Sequence, residues 1–268
     1  MANSTAYVVG FAAVICVFCS LGVAGASMGL KPLIKANETK AFQTKVLGAV
    51  DLPAADESGA RPAMDAEATQ ALFDERLKMI LVDLKGEEVH SDLPYAKKLD
   101  KIEQARSSVK GTGEPPPLSP VYLRMDDGKV VAYALEMQGK GLWGPISGYL
   151  ALKKDGKSVM NAAFDAPKET PGLGAEIMND SFIKQWVGKS IVLNNKLEPI
   201  SVVKGSAALA CPGRENYCVD GVSGATITSR GVDIMVADAV AENYASYLKK
   251  IQAGGRHELP RDRDSGRT

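Results

Sequence analysis

The segment Asp220-Gly221-Val222-Ser223-Gly224-Ala225-Thr226-Ile227-Thr228-Ser229 sets four hydroxyl side chains among small residues and runs into a long amphipathic helix pattern. Small residues let the backbone approach a bulky anion closely. A helix N-terminus directly behind them offers unpaired N–H groups and a positive dipole end, which suits a phosphate. Thr226, exposed in such a loop, could itself be a point of covalent attachment. A plainer account covers the same residues: Thr228 or Ser229 caps the helix, as Ser and Thr commonly do.

Three further features could bear on chemistry. In Lys168-Glu169-Thr170-Pro171-Gly172-Leu173-Gly174 a carboxyl group and a hydroxyl precede a Pro-Gly turn, giving a rigid loop able to fix polar contacts to a ring system. An ordinary turn explains it as well. Gly141-Leu142-Trp143-Gly144 frames an apolar pair that could pack on a planar ring or form a satellite core under a hairpin. Lys204 follows a predicted strand and could pair with a phosphate or an electron-rich ring, or simply be solvated. His occurs only at His90 and His257 and the cysteines are not clustered, so a protein-ligated metal centre is not expected. The chain is read as having no G-x-G-x-x-G following a strand, so dinucleotide binding is not expected either. Side-chain acid–base catalysis has no candidate, and the chemistry of this chain is read as that of a borrowed cofactor.

The elements that must position these residues start with a span of lipid character. Residues 1–30 carry no charged side chain, and Ala6 to Ala26 is apolar or small throughout, about 30 Å long as a helix. Ala24-Gly25-Ala26 resembles a signal-peptide cleavage site, but the stretch exceeds an ordinary signal core and lacks a basic lead-in, which favours a retained anchor. Lys31, Lys35, Lys40 and Lys45 follow it, and the positive-inside rule taken alone would keep the remainder in the cytoplasm. Cys211 and Cys218 point the other way if they form a disulfide, which needs an oxidising compartment; two free thiols are the alternative. The whole chain has 268 residues, 32 Lys+Arg against 32 Asp+Glu, and is 45% hydrophobic. That composition supports a sizeable core and argues against nucleic acid as a partner.

Past the anchor, residues 31–50 read as an exit helix and 51–64 as a loop. Leu72, Phe73, Leu77 and Ile80 recur at helical spacing, predicting a helix from about Asp65 to Met79, and residues 80–84 then turn into a strand. Lys97 to Val109 reads as a surface helix, and Gly111 to Pro120 as an irregular linker. Asp-Gly turns at Asp127-Gly128 and Asp155-Gly156 join two hairpins, Val121–Met125 with Val130–Met137 and Tyr149–Lys153 with Ser158–Phe164. A short helix at Asp180–Val187 and strands at Ser190–Leu193 and Ile200–Val203 follow. Ser229 to Ile251 is predicted as one long amphipathic helix, and the polar tail beyond residue 253 as disordered. The expected architecture is α+β: an anchor (residues 1–30), an exit helix (31–50), one domain (51–252) and a tail (253–268).

Taken together and in order, these motifs resemble the C subunit of the sodium-translocating NADH:quinone oxidoreductase, a bacterial respiratory complex. The resemblance rests on LKPLIKANETKAFQTKVLG, FDERLKMILVDLKG, GKGLWGPISGYLAL, KETPGLGAEI, DGVSGATITSRGV and ENYASYLKK. It implies an FMN-binding domain whose FMN is joined by a phosphoester to Thr226, attached by a separate flavin transferase that reads Asp220, Ser223, Gly224, Ala225 and Thr226. It further implies that Glu169, Thr170, Leu173, Leu142 and Trp143 line the flavin, with Lys204 and Thr228 near its polar edge. The chain would relay electrons from an iron–sulfur centre to the FMN of the B subunit, in a complex that also holds the A, D, E and F subunits, oxidises NADH, reduces quinone and exports sodium. The family places the domain on the periplasmic side of the inner membrane. The G subunit of the complex that couples ferredoxin to NAD is a related flavoprotein; Ala166-Pro167-Lys168 stands here where that branch often has a His. A membrane-tethered scaffold without a redox role is the reading from another class.

Overall fold

The structure, a computed structural model, describes residues 5–54 and 61–254. Helix α1 (Thr5–Ala49) is continuous over 45 residues, Pro32 included, and reaches about 68 Å. It alone among the described helices is long and apolar enough to cross a membrane, and its apolar window is entirely unburied by the rest of the chain. Exposed Val, Phe and Leu side chains along one isolated helix are stable only in a lipid or protein environment. The last turns of α1 are different in kind. Val46, Leu47, Ala49 and Val50 are fully buried against the domain.

The domain is built on a six-stranded antiparallel sheet in the order β2-β1-β3-β4-β5-β6. After α2 (Ala66–Arg76) come β1 (Leu77–Asp83), β2 (Glu88–Val89), α3 (Tyr95–Ser108), β3 (Leu118–Asp126), β4 (Lys129–Lys140), β5 (Pro145–Lys153) and β6 (Val159–Asp165). The two hairpins predicted from Asp-Gly turns are present, with Gly128 and Gly156 in the left-handed region that those turns require. Both sheet faces are covered. On one lie Ile80, Val82, Leu123, Leu135 and Leu152 with Val232, Met235 and Val236; on the other Leu81, Tyr122, Tyr149 and Ala151 with Leu47, Phe73 and Ile102. Alternate residues of each strand thus serve opposite cores.

Beyond the sheet lie α4 (Asp180–Ile183), the pair β7 (Val192–Leu193) and β8 (Lys196–Leu197), β9 (Ser201–Val203), α5 (Ala207–Ala210), β10 (Cys218–Asp220), α6 (Thr226–Asp238) and α7 (Ala245–Gln252). β9 and β10 form their own two-stranded parallel sheet.

Three expectations are corrected. The predicted helix over 65–79 stops at Arg76, because Leu77–Val82 is a strand buried on both faces, and such a strand supplies apolar residues at helical as well as alternate spacing. The predicted helix over 229–251 starts three residues earlier, widens into a π-type turn at Ala239–Asn243 and breaks at Tyr244. There the buried Tyr244 hydroxyl lies 2.7 Å from the Pro120 carbonyl oxygen and 3.0 Å from that of Glu136, a tertiary anchor that overrides local helix preference. The linker predicted through Pro120 yields its last residues to β3, where Pro120 pairs with Leu81. The tail from 255 on lies outside the described residues, as do positions 55–60 of the predicted loop.

Candidate functional site

Helix α6 aims its N-terminus at the tip of the β4–β5 hairpin because glycine lets it sit close. A Cβ at Gly231 would collide with the Lys140 carbonyl oxygen, and one at Gly139 would lie 2.8 Å from the Met235 Cβ. The hairpin tip is Gly141-Leu142-Trp143-Gly144, closed by a hydrogen bond from the Gly141 N–H to the Gly144 carbonyl. The expectation that no G-x-G-x-x-G follows a strand is corrected: Gly139 to Gly144 has that spacing at the end of β4, but it joins two antiparallel strands and opens no helix, so the dinucleotide fingerprint is not formed.

Thr226 is the first residue of α6 and is exposed. Ala225 occupies the N-cap and gives no side-chain cap. The capping account of Thr228 and Ser229 is therefore overturned. The Ser229 hydroxyl instead accepts the Val222 N–H at 3.0 Å, folding the loop back on the helix. Thr228 donates to Glu169 Oε2 at 2.5 Å. The backbone N–H groups of Ser223, Gly224, Thr226, Ile227 and Thr228 consequently have no acceptor among the described residues. They stand at the positive end of a 13-residue helix.

Beside Thr226 opens a cleft of about 360 Å³. Val203 and Lys204, at the end of β9, form one wall; Ser223 and Gly224 form the other, with Arg230 one turn beyond Thr226 and paired to Asp233. Gly224 adopts φ +76°, the left-handed region that favours glycine, and a Cβ there would press on Leu173. The cleft thus brings one exposed hydroxyl, two cationic side chains and backbone N–H groups without protein acceptors into the same corner of the domain. That arrangement suits a phosphate held covalently or otherwise.

Glu169 is the joint between loops. It is only 6% exposed, accepts the Trp143 N–H through Oε1 at 2.8 Å and the Thr228 hydroxyl through Oε2. Its oxygens fill the space that side chains at 141 and 174 would need: a Cβ on Gly141 would lie 2.5 Å from Oε1, and one on Gly174 would collide with Oε2. The Thr170-Pro171-Gly172-Leu173 turn follows, with Gly172 at φ +75° and the Leu173 N–H bonded to the Thr170 carbonyl, the form in which Pro and Gly each occupy their favoured place.

Around these polar groups lies apolar surface: Leu142, Trp143 and Leu173 are 48%, 66% and 43% exposed. The satellite-core account of Leu142 and Trp143 thus fails, since neither is buried. Thr170 is exposed on the same loop, and Ala225 is buried behind Thr226. Asp220 stands apart from the cleft's surface. Its carboxyl accepts the Ala207 N–H at 2.7 Å, while its own N–H donates to Gln185 Oε1. Sequence reasoning passed over Ile227, which is 58% exposed at the start of α6, and Arg230. The spacing of Arg230, four residues after Thr226, was the available signal, because it places both on one helix face.

These residues fit a flavin nucleotide: open N–H groups and cations for its phosphate, exposed apolar side chains for its rings. The FMN-binding domain family matches residues 141–241, the stretch that holds every one of these features. The C subunit of the Na(+)-translocating NADH-quinone reductase of Yersinia pestis is 31% identical over 254 residues, covering 90% of this chain and 91% of that one. The protein of the same name from Pseudomonas aeruginosa is 32% identical over 268 residues, covering 95% and 99%. The crystal structure of its counterpart from Parabacteroides distasonis aligns with a TM-score of 0.64 at 28% identity, over 82% of this chain and 96% of that one.

Proposed function

The chain belongs to the family of C subunits of the Na(+)-translocating NADH-quinone reductase, an oxidoreductase complex, and is a membrane-anchored electron-transfer protein with an FMN-binding domain; from this premise we propose that Thr226 Oγ1 carries FMN through a phosphoester. The observation that carries the proposal is the exposed Thr226 hydroxyl at an uncapped helix N-terminus, beside a cleft lined by Lys204 and Arg230. The free N–H groups of residues 226–228, Lys204 and Arg230 would neutralise the phosphate. Leu142, Trp143 and Leu173 would cover the rings, with Thr170 at their polar edge and the buried Glu169–Thr228 pair holding these segments together behind it. Bound FMN supplies the electron transfer. The chain's own part is to fix where that transfer happens and to exclude water from one side of it. It contributes no acid or base.

On this reading a separate flavin transferase makes the ester, with Asp220, Ser223, Gly224 and Ala225 as its recognition segment. Electrons would enter from an iron–sulfur centre in the membrane and leave to the FMN of the B subunit, between NADH and quinone, coupled to sodium export, with the A, D, E and F subunits completing the assembly. We place the domain on the periplasmic side of the bacterial inner membrane. The Cys211–Cys218 disulfide supports that side, and the lysines after the anchor weigh against it. The domain boundaries at residues 30, 50 and 252 belong to the same reading; α1 itself has no break at residue 30.

The test is a denaturing gel of membranes from cells that contain an active flavin transferase, viewed under ultraviolet light, with peptide mass mapping. A fluorescent band bearing FMN less one water on the Thr226 peptide is expected, and Thr226→Ala should abolish it. A dark wild-type band would overturn the proposal.

A further inference from the structure

The two walls of the Thr226 cleft are the two ends of one excursion of the chain. β9 delivers Val203 and Lys204 to one wall; the chain then leaves through α5, turns, and returns through β10 to deliver Gly221 to Gly224 to the other. Three links close this excursion in nested order. Nearest the cleft, the Gly221 N–H donates to the Val203 carbonyl at 2.7 Å. Next, the Ala207 N–H donates to Asp220 Oδ1 at 2.7 Å. Outermost is the disulfide between Cys211 and Cys218.

The innermost links are weak by themselves. β9 and β10 pair over three residues, in parallel, outside the main sheet, and a two-stranded pair of that size is not stable alone. Other contacts of the excursion, such as Lys189 Nζ to the Glu215 carbonyl and Tyr217 to the Val192 carbonyl, hold its tip to neighbouring segments. The ends themselves are each hydrogen-bonded to α6, the Val202 N–H to Asp233 Oδ1 at 2.9 Å and the Val222 N–H to the Ser229 hydroxyl, with no covalent bond among these contacts. Any shift of β10 passes on: Gly221 leads to Val222, whose N–H is bonded to Ser229 and whose carbonyl accepts the Ala225 N–H, one residue before Thr226. The disulfide is thus the one covalent constraint on the spacing of the walls.

We propose that the Cys211–Cys218 disulfide positions the cleft at Thr226, so that thiol oxidation speeds cofactor attachment and precedes it in the ordinary course of maturation. The proposal rests on the reading of Thr226 as the attachment point. In the first reaction two thiols form one S–S bond and give two protons and two electrons to a thiol–disulfide oxidant, itself reduced to a dithiol. In the second, the Thr226 Oγ1–P bond forms, the bond from phosphorus to the leaving group of an activated flavin nucleotide breaks, and the hydroxyl proton departs with that group; no electrons are exchanged. Cys218 is buried and Cys211 half-buried, so the finished bond is sheltered from thiol attack. It acts in assembly order and is not a reversible switch.

One tryptic peptide reports both events, since the stretch from Glu215 to Arg230 contains Cys218 and Thr226. Cells making the full chain with an active flavin transferase are sampled early after induction, free thiols are alkylated, and this peptide is mapped without reduction. Early flavin occupancy is expected to be roughly tenfold higher on the disulfide-linked peptide than on the alkylated one. Flavin on both at equal occupancy would overturn the proposal. Absence of flavin from every form, late samples included, would instead remove the Thr226 attachment and this proposal with it. A Cys211→Ala/Cys218→Ala variant gives the second measurement: roughly tenfold slower loading is expected from restoring loop freedom. Loading at the wild-type rate in that variant would also overturn the proposal.

Discussion

Thr228 Oγ1 and Glu169 Oε2, 59 residues apart in sequence, form a buried hydrogen bond of 2.5 Å that ties helix α6 to the Pro-Gly loop. Because the other oxygen of Glu169 holds the Trp143 N–H, a single carboxyl group joins all three segments around the candidate flavin site. Glu169→Ala should leave a buried hydroxyl and a backbone N–H without partners and lower stability on the order of 2–4 kcal/mol. Thr228→Val should cost about 1–2 kcal/mol. Denaturant unfolding of the detergent-solubilised protein checks both, and an unchanged midpoint for Glu169→Ala would refute the role.

Gly174→Ala should destabilise by about 1–3 kcal/mol, since its methyl group would collide with Glu169 Oε2 and lie 2.7 Å from Thr228 Oγ1. The same substitution in a Glu169→Ala background should cost less, because the nearer of the two colliding oxygens is gone. A double-mutant cycle measures the difference. Additive effects would mean that the two positions do not share this space.

Asp220 separates geometry from charge. Asp220→Asn keeps an acceptor for the Ala207 N–H, whereas Asp220→Ala removes it. If the link between Asp220 and α5 is what matters, Asn should load flavin close to wild type and Ala poorly, as read by gel fluorescence per chain. Equal loss in both would assign Asp220 to recognition by the transferase through its charge.

Stability should fall in acid for a reason away from the site. Burial pushes the Asp126 carboxyl up, but hydrogen bonding from Arg76 and the charge of Arg124 outweigh it and hold the group below its ordinary value. A lowered folded value contributes stability above the unfolded value of about 4 and loses it as pH falls through the folded one. Asp126→Asn should therefore lower the melting temperature at pH 7. The difference from wild type should shrink below about pH 4, and a gap that persists unchanged there would exclude the ion-pair origin.

What could be read from sequence divides along physical lines. Turn chemistry is local, so Asp127-Gly128 and Asp155-Gly156 announced their hairpins, and Pro171-Gly172 its turn. The long apolar run announced α1. Periodicity misled where burial is two-sided, as at Leu77–Val82, and where a distant partner intervenes, as Pro120 and Glu136 do at Tyr244. The site's small residues were visible, but their reason was not. Gly141 and Gly174 are needed because Glu169 occupies their space, and that is a fact about three loops meeting. The nested links behind the cleft were equally hidden, since spacing alone left Cys211 and Cys218 free to be bonded or not.

The unbroken course of α1 into the domain has a consequence for direction. Lys45 pairs with Asp165 at 2.6 Å, Asn161 donates to the Gly48 carbonyl, and Arg124 to that of Val50, so the helix end cannot swivel against the sheet. The azimuth of the Thr226 cleft relative to the apolar turns of α1 is therefore set by the residue count of the shaft. One residue added near Ala36 would turn the cleft by about 100° while lifting it only about 1.5 Å, and two would point it nearly backwards. Seven, close to two full turns, would restore the bearing at a height greater by about 10 Å. Heading and height can thus be varied almost independently by shaft length alone.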